Sequence, residues 1–225
     1  MNLLAFDTAL GRGSAAVMID GRVAAQRVEH EPRALAERLV LMIEETLDAA
    51  GASYQSLDRL AVTVGPGTFT GTRIGVATAR GLGLATGLPV IGVSTLEALA
   101  AAAIDAVDEG ASIVSAIDAR RGQVYLQIFN RTEDGLDPAS EPAAIDLNDV
   151  DHIVAGLDGA IVGPGAAVAA AVSTGHLRVR SDISDIPPGV VAALAAKREL
   201  PTAPVRPLYL RKPDAKLPGA RTFAS

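Results

Sequence analysis

The sequence predicts a two-lobed α/β fold with an internal duplication, the second lobe being the smaller. Three observations predict it. Apolar, β-branched runs alternate with stretches of helical length and period, as expected of strands covered by helices. The segment AFDTALGRGSAAVMI beginning at Ala5 has a counterpart, AIDARRGQVYLQIF, beginning at Ala116: strand, aspartate, basic turn, glycine, strand. The tetrapeptide VGPG at Val64 recurs at Val162, each time closing an apolar run. Two landmarks in the same order mark a repeat. The expected divisions are a first lobe over 1–109, a second over 110–200 and a Pro-rich tail over 201–225.

At 225 residues the chain can bury a sizeable core. It has no cysteine, which excludes a disulfide framework, a thiolate zinc site and a thiol nucleophile. Asp7 interrupts the first apolar run, and no uncharged run approaches the roughly 20 residues that span a bilayer. A cytoplasmic protein with no membrane partner is the expectation. A net charge of −6 and an aromatic content of 3% argue against a stand-alone nucleic-acid binder.

Taken in order, Leu3 to Ala9 reads as a strand, Gly11-Arg12-Gly13 as a turn and Ser14 to Ile19 as a second strand. Asp20-Gly21 is a type I′ hairpin signal, and Arg22 to Val28 continues the meander. In a phosphate-binding reading Asp7 positions a metal or water while Thr8 and Ser14 contact phosphate; in the plainer one Asp7 caps a turn. A helix is expected over Arg33 to Ala50, closed by Gly51. Its centre, Leu39-Val40-Leu41-Met42-Ile43, is apolar all round, whereas a helix lying on a sheet needs one apolar stripe. A second cover is therefore expected, either a subunit interface or the second domain.

Leu60, Val62 and Val64 read as a short buried strand ended by Gly65-Pro66-Gly67. The helix that follows takes Thr68 or Thr70 as N-cap. Gly71, Gly75, Ala79, Gly83 and Gly87 fall at a four-residue period, so they share one stripe. Interior glycines cost about 1 kcal/mol each, which requires some other element to approach this backbone closely. Neither phosphate motif fits. A Walker A loop needs Gly-Lys, where the chain has Gly71-Thr72-Arg73, and the dinucleotide fingerprint needs glycine at Thr70.

Val90 to Val93 is a further strand, and Ser94 or Thr95 caps a helix from Leu96 to about Val107. Asp108-Glu109-Gly110 marks the boundary. In the second half Thr132 to Pro142 reads as loop, and a last helix spans Gly189 to Arg198. Leu208-Tyr209-Leu210 in the tail is expected to lie against a domain as an arm. His30, His152 and His176 are the only histidines and never show metal-ligand spacing. No Gly-x-Ser-x-Gly elbow occurs. Arg120-Arg121 and Arg211, Lys212 and Lys216 are the nearest approach to basic patches, suited to RNA only as part of a larger surface.

LLAFDTA, VGPGTFTGTRIGVATARGLG, IDARRGQVY and PLYLRKPDAK together closely resemble the bacterial TsaB (YeaZ) family, over nearly the whole chain. The resemblance implies the duplicated actin-like ATPase, RNase H-like fold. It also implies a non-catalytic subunit that binds and activates its paralogue TsaD, working with the TsaE ATPase, to place threonylcarbamoyl on the adenosine beside the tRNA anticodon. Contact with tRNA would come only through the complex, and the isolated subunit would be a homodimer or a monomer. TsaD carries a His-Met-Glu-Gly-His helix start that binds its metal; the matching residues are Thr95-Leu96-Glu97-Ala98-Leu99, which lack both imidazoles. Where many members carry His-Ser-Glu-Arg, this chain has Leu35-Ala36-Glu37-Arg38. Ala119-Arg120-Arg121 replaces a Gly-Gly phosphate loop and would crowd a triphosphate.

The resemblance thus implies no catalytic residue, no metal and no cofactor of the chain's own, with Asp7, Thr8 and Ser14 as a vestigial phosphate loop for ATP or ADP. It places the partner interface on the first helix and the glycine-spaced helix, at Leu35, Leu39, Met42, Ile43, Gly71, Arg73, Gly75, Val76 and Ala79. The competing class is a stand-alone ATPase or small-molecule kinase using Asp7, Thr8 and Asp118. A metallopeptidase is disfavoured by the missing histidines.

Overall fold

The computed structural model describes residues 1–31 and 35–211. Arg33, Lys212 and Lys216, named above, lie outside the described residues. The first sheet contains β1 (Leu3–Asp7), β2 (Gly13–Ile19), β3 (Arg22–Glu29), β4 (Arg59–Thr63) and β5 (Val90–Val93), in the order β3-β2-β1-β4-β5. β2 and β3 form an antiparallel meander with β1, while β4 and β5 run parallel to it. The second sheet contains β6 (Ser112–Arg120), β7 (Gln123–Thr132), β8 (Gly135–Pro138), β9 (Ala143–Asp146), β10 (Gly159–Val162) and β11 (Arg178–Arg180). Read from its other edge its order is β8-β7-β6-β10-β11, with β9 also paired to β7. The same order, with the same mixture of antiparallel and parallel neighbours, establishes the duplication in space.

Helices separate and cover the two sheets. α1 (Leu35–Ala49) and α2 (Phe69–Thr86) bury Leu39, Met42, Ile43, Val76 and Ala79 against Leu4, Phe6, Leu60 and Val62 on the outer face of the first sheet. α4 (Leu147–Val154) and α5 (Ala166–Ala170) cover the outer face of the second. Between the sheets lie α3 (Thr95–Ala102) and α6 (Pro188–Ala196), whose apolar residues meet side chains from both lobes in one continuous core. α3 follows the last strand of the first sheet yet packs on β6 and β7; α6 follows the second sheet yet packs on β1 and β2. The lobes therefore exchange helices. Each large apolar side chain buried in this layer contributes about 1.5–3 kcal/mol, so the lobe contact is part of the main core.

Several boundaries differ from the sequence reading. β1 ends at Asp7 because the Asp7 carboxylate accepts the Ala9 amide at 2.9 Å and turns the chain. α3 stops at Ala102, where the Ala103 amide donates to Ala100 and tightens the last turn into a separate 3-10 turn over Ile104–Ala106. Thr132 to Pro142 is not wholly loop: Gly135 reverses the chain and β8 pairs with β7. Pro138 ends that edge strand, where a missing amide donor is tolerated.

Candidate functional site

The end of β1 meets the start of α2, and there Thr8 packs against the helix, while the buried Ser14 hydroxyl on β2 has no hydrogen-bond partner. Thr8 Oγ1 donates to the Gly71 carbonyl at 2.7 Å. A Cβ on Gly71 would sit 2.1 Å from the Thr8 carbonyl oxygen, one on Gly75 would sit 2.4 Å from Thr8 Oγ1, and one on Gly67 would sit 2.3 Å from the Ala9 carbonyl. Gly71 and Gly75 thus let α2 lie directly on the end of β1, and Gly83 lets it lie on Val90. Thr68 is the N-cap, its Oγ1 accepting the Gly71 amide at 3.2 Å.

Asp7, Thr8 and Ser14 are at most 1% exposed. Asp7 accepts from Thr63 Oγ1 as well as from the Ala9 amide. Burial pushes its carboxyl above the ordinary range, against the opposing pull of those two donors and of the Arg12 guanidinium. Arg12 reaches to the start of the helix exchanged from the other lobe, pairing with Asp185 at 3.1 Å and donating to the Ile186 carbonyl at 3.2 Å. Asp118 repeats the turn role of Asp7, accepting the Arg120 amide at 2.7 Å. In this closed arrangement the three phosphate candidates do not face solvent.

Most of the proposed interface residues also point inward. Leu35, Leu39, Met42, Ile43, Val76 and Ala79 are at most 3% exposed, and Gly71 and Gly75 lie against Thr8. In the chain as it stands these eight are part of its own packing. Arg73 alone of that set is exposed. Substituting Leu39 and Met42 by glutamate would therefore bury two charges in the core and unfold the protein rather than test an interface.

The outward faces of the same two helices carry different residues. α1 exposes Glu37, Val40, Leu41, Glu44 and Asp48, with Val40 at 41% and Leu41 at 48%. α2 exposes Phe69, Arg73, Arg80 and Leu84, with Leu84 at 89%. One helix is thus acidic outward and the other basic, each with unburied apolar side chains. A groove of about 630 Å³ continues this surface between the second half of α2 and Pro201 to Val205. Of the apolar run in α1, Val40 and Leu41 are the part a 3.6-residue period leaves uncovered.

At the helix start matched to the paralogue's metal motif, Thr95 and Leu99 are fully buried, and the Leu99 side chain packs on Gly163. Glu97 pairs with Arg198, which also donates to the Gly92 carbonyl. The sequence reading missed this pair because its partners are 101 positions apart. The tail lies against the first lobe, as expected of Leu208-Tyr209-Leu210. Val205 packs beside Gly92, the Leu208 amide donates to the Val64 carbonyl at 2.7 Å, and Arg73 Nε donates to the Tyr209 hydroxyl at 2.7 Å.

Fold and site together define a duplicated, two-lobed α/β protein in which Asp7, Thr8 and Ser14 are buried. The family profile described as "TsaD: tRNA N6-adenosine threonylcarbamoyltransferase" matches residues 23–175. The tRNA threonylcarbamoyladenosine biosynthesis protein TsaB of Escherichia coli is 40% identical over 153 residues, a match spanning 68% of this chain and 65% of that protein. YeaZ from Pseudomonas aeruginosa superposes with a TM-score of 0.77 at 29% identity, over 87% of this chain and 90% of that one. A second Pseudomonas aeruginosa structure, described as similar to peptidase YeaZ, gives 0.80 at 30% identity, over 93% and 99%. The chain belongs to the TsaB (YeaZ) family.

Proposed function

We propose that the chain is a non-catalytic subunit of a tRNA threonylcarbamoyl transferase complex, binding its TsaD paralogue and stabilising the state of it that is competent for transfer. The observation that carries this reading is the outer face of α1 and α2: two neighbouring helices of opposite charge with exposed Val40, Leu41 and Leu84 and an adjoining apolar groove. Such a surface suits helix-to-helix docking, where central apolar side chains supply affinity and flanking charges set register. The acidic Glu37, Glu44 and Asp48 of α1 and the basic Arg80 of α2 are complementary in charge, as a self-complementary two-fold interface requires, which supports a homodimer when the paralogue is absent.

The non-catalytic assignment is supported by the buried Thr95 and Leu99 at the paralogue's metal positions and by the burial of Asp7 and Thr8, with Asp7 Oδ1 bonded to Thr63 and the Thr8 hydroxyl to Gly71. The E. coli relative's description supports the tRNA reaction, and the matching family profile supports TsaD as a paralogue of this chain. TsaE is the expected third component and the cytoplasm the expected compartment. Activation is then a shift of the partner's conformational equilibrium through contacts that differ between its states. ATP or ADP at Asp7, Thr8 and Ser14 would require the lobes to open.

Reconstitution tests the proposal. Threonylcarbamoyl transfer to tRNA by TsaD and TsaE should rise on adding this chain, while the chain alone with Mg-ATP should show no turnover. Mg-ATP turnover that disappears in Asp7→Asn would instead establish the ATPase or kinase reading.

A further inference from the structure

Two basic segments far apart in the sequence meet at the surface. The β6–β7 hairpin presents Arg120 and Arg121 from left-handed backbone, at φ 62° and 56°, and both side chains are exposed. The tail brings Arg211 to this hairpin, its Nη2 donating to the Arg120 carbonyl at 3.3 Å and to Gln123 Oε1. Two residues earlier, Tyr209 stacks on Phe69 with ring centroids 6.2 Å apart and planes 30° from parallel. The Arg73 guanidinium lies 3.6 Å from the Phe69 centroid and 5.7 Å from that of Tyr209. Among the described residues, Phe69 and Tyr209 are the only exposed aromatic side chains.

We infer that Phe69, Arg73, Tyr209, Arg211, Arg120 and Arg121 form one RNA-contacting strip across both lobes. Its hairpin end holds phosphate, and its aromatic end stacks an unpaired base. Aromatic rings joined by a guanidinium give a flat, sequence-tolerant platform for a nucleobase. Arginines held at a hairpin tip suit a phosphate backbone. Asp118 offsets part of this charge through a 3.3 Å pair with Arg120, whose side chain is nevertheless 85% exposed. An acidic protein surface would use the arginines but would not call for two rings left half-open in a chain with only four phenylalanines and three tyrosines. With a net charge of −6 on the chain, the strip adds to a larger RNA surface and does not bind alone. This inference rests on the tRNA reading above.

The test is binding of an unmodified tRNA transcript to the complex of this chain with its TsaD paralogue, measured across a salt series. Arg120→Gln with Arg121→Gln should weaken binding about tenfold and reduce the slope of log K against log salt by roughly 1 to 2. Tyr209→Leu should weaken binding about tenfold with the slope unchanged. The mass of the protein complex should stay the same in both variants. Unaltered tRNA affinity and slope in intact complexes would overturn the inference. So would loss of the protein complex itself, which would make the strip a protein contact. Failure of the parent reading shows separately, as a wild-type chain that neither joins TsaD nor stimulates transfer.

Discussion

Thr8 and Asp7 show how side chains suited to phosphate chemistry are turned to structural use. Thr8 donates its hydroxyl to the Gly71 carbonyl, and Asp7 Oδ1 accepts from Thr63 and the Ala9 amide. The raised Asp7 pKa has a consequence for stability. Burial favours the neutral acid, so its contribution is fully present below the unfolded-state value near 3.8 and is lost as pH rises through the higher folded-state value. Asp7→Asn, which retains a carbonyl acceptor but cannot ionise, should give a flatter dependence of unfolding free energy on pH over that window. Chemical denaturation at a series of pH values checks this, and parallel wild-type and variant curves would contradict it. Asp151 and Asp182 act in the opposite sense. Their carboxyls are lowered mainly by hydrogen bonds from Thr174 and Arg180, so what they contribute is lost as pH falls.

The glycine spacing of α2 was legible from the chain; of the two N-cap candidates Thr68 is the cap, and Gly87, expected on the stripe, instead ends the helix at φ 74°. Which body approaches that stripe was not legible, because a four-residue period fixes a helical face but not its neighbour. The answer is the end of β1: Gly71, Gly75, Val76 and Ala79 face inward, and so do Leu35, Leu39, Met42 and Ile43. In α1 the apolar run did carry the second-cover signal, but only Val40 and Leu41 express it. Two alanine substitutions separate the roles of glycines on this helix. Gly71→Ala should destabilise by about 2 kcal/mol or more, since its Cβ would meet backbone at 2.1 Å. Gly81→Ala, with nothing within 4 Å of its Cβ, should stabilise by about 0.5–1 kcal/mol. Equilibrium unfolding in denaturant compares them, and equal effects would contradict this packing of α2 on β1.

At the scale of the whole molecule, the duplication could be read from Asp7 with Asp118 and from Val64 with Val162, because short turn motifs survive where strand lengths change. The exchange of α3 and α6 between lobes could not, since an alanine-rich helix carries no mark of which sheet it covers. The same holds for Arg12 with Asp185 and for Arg198 with Glu97, whose partners are distant in the chain. These links and the shared core tie the two lobes together, while α1 and α2 remain on the far side of the first sheet with Val40, Leu41 and Leu84 exposed. Partner docking should therefore be separable from folding. The most direct measurement is native mass spectrometry of this chain co-expressed with its TsaD paralogue, comparing wild type with the Val40→Glu, Leu84→Glu double variant. The account predicts a heterodimer for wild type, and for the double variant a folded monomer of unchanged unfolding midpoint that no longer co-purifies. A folded double variant that still forms the heterodimer in full would contradict it.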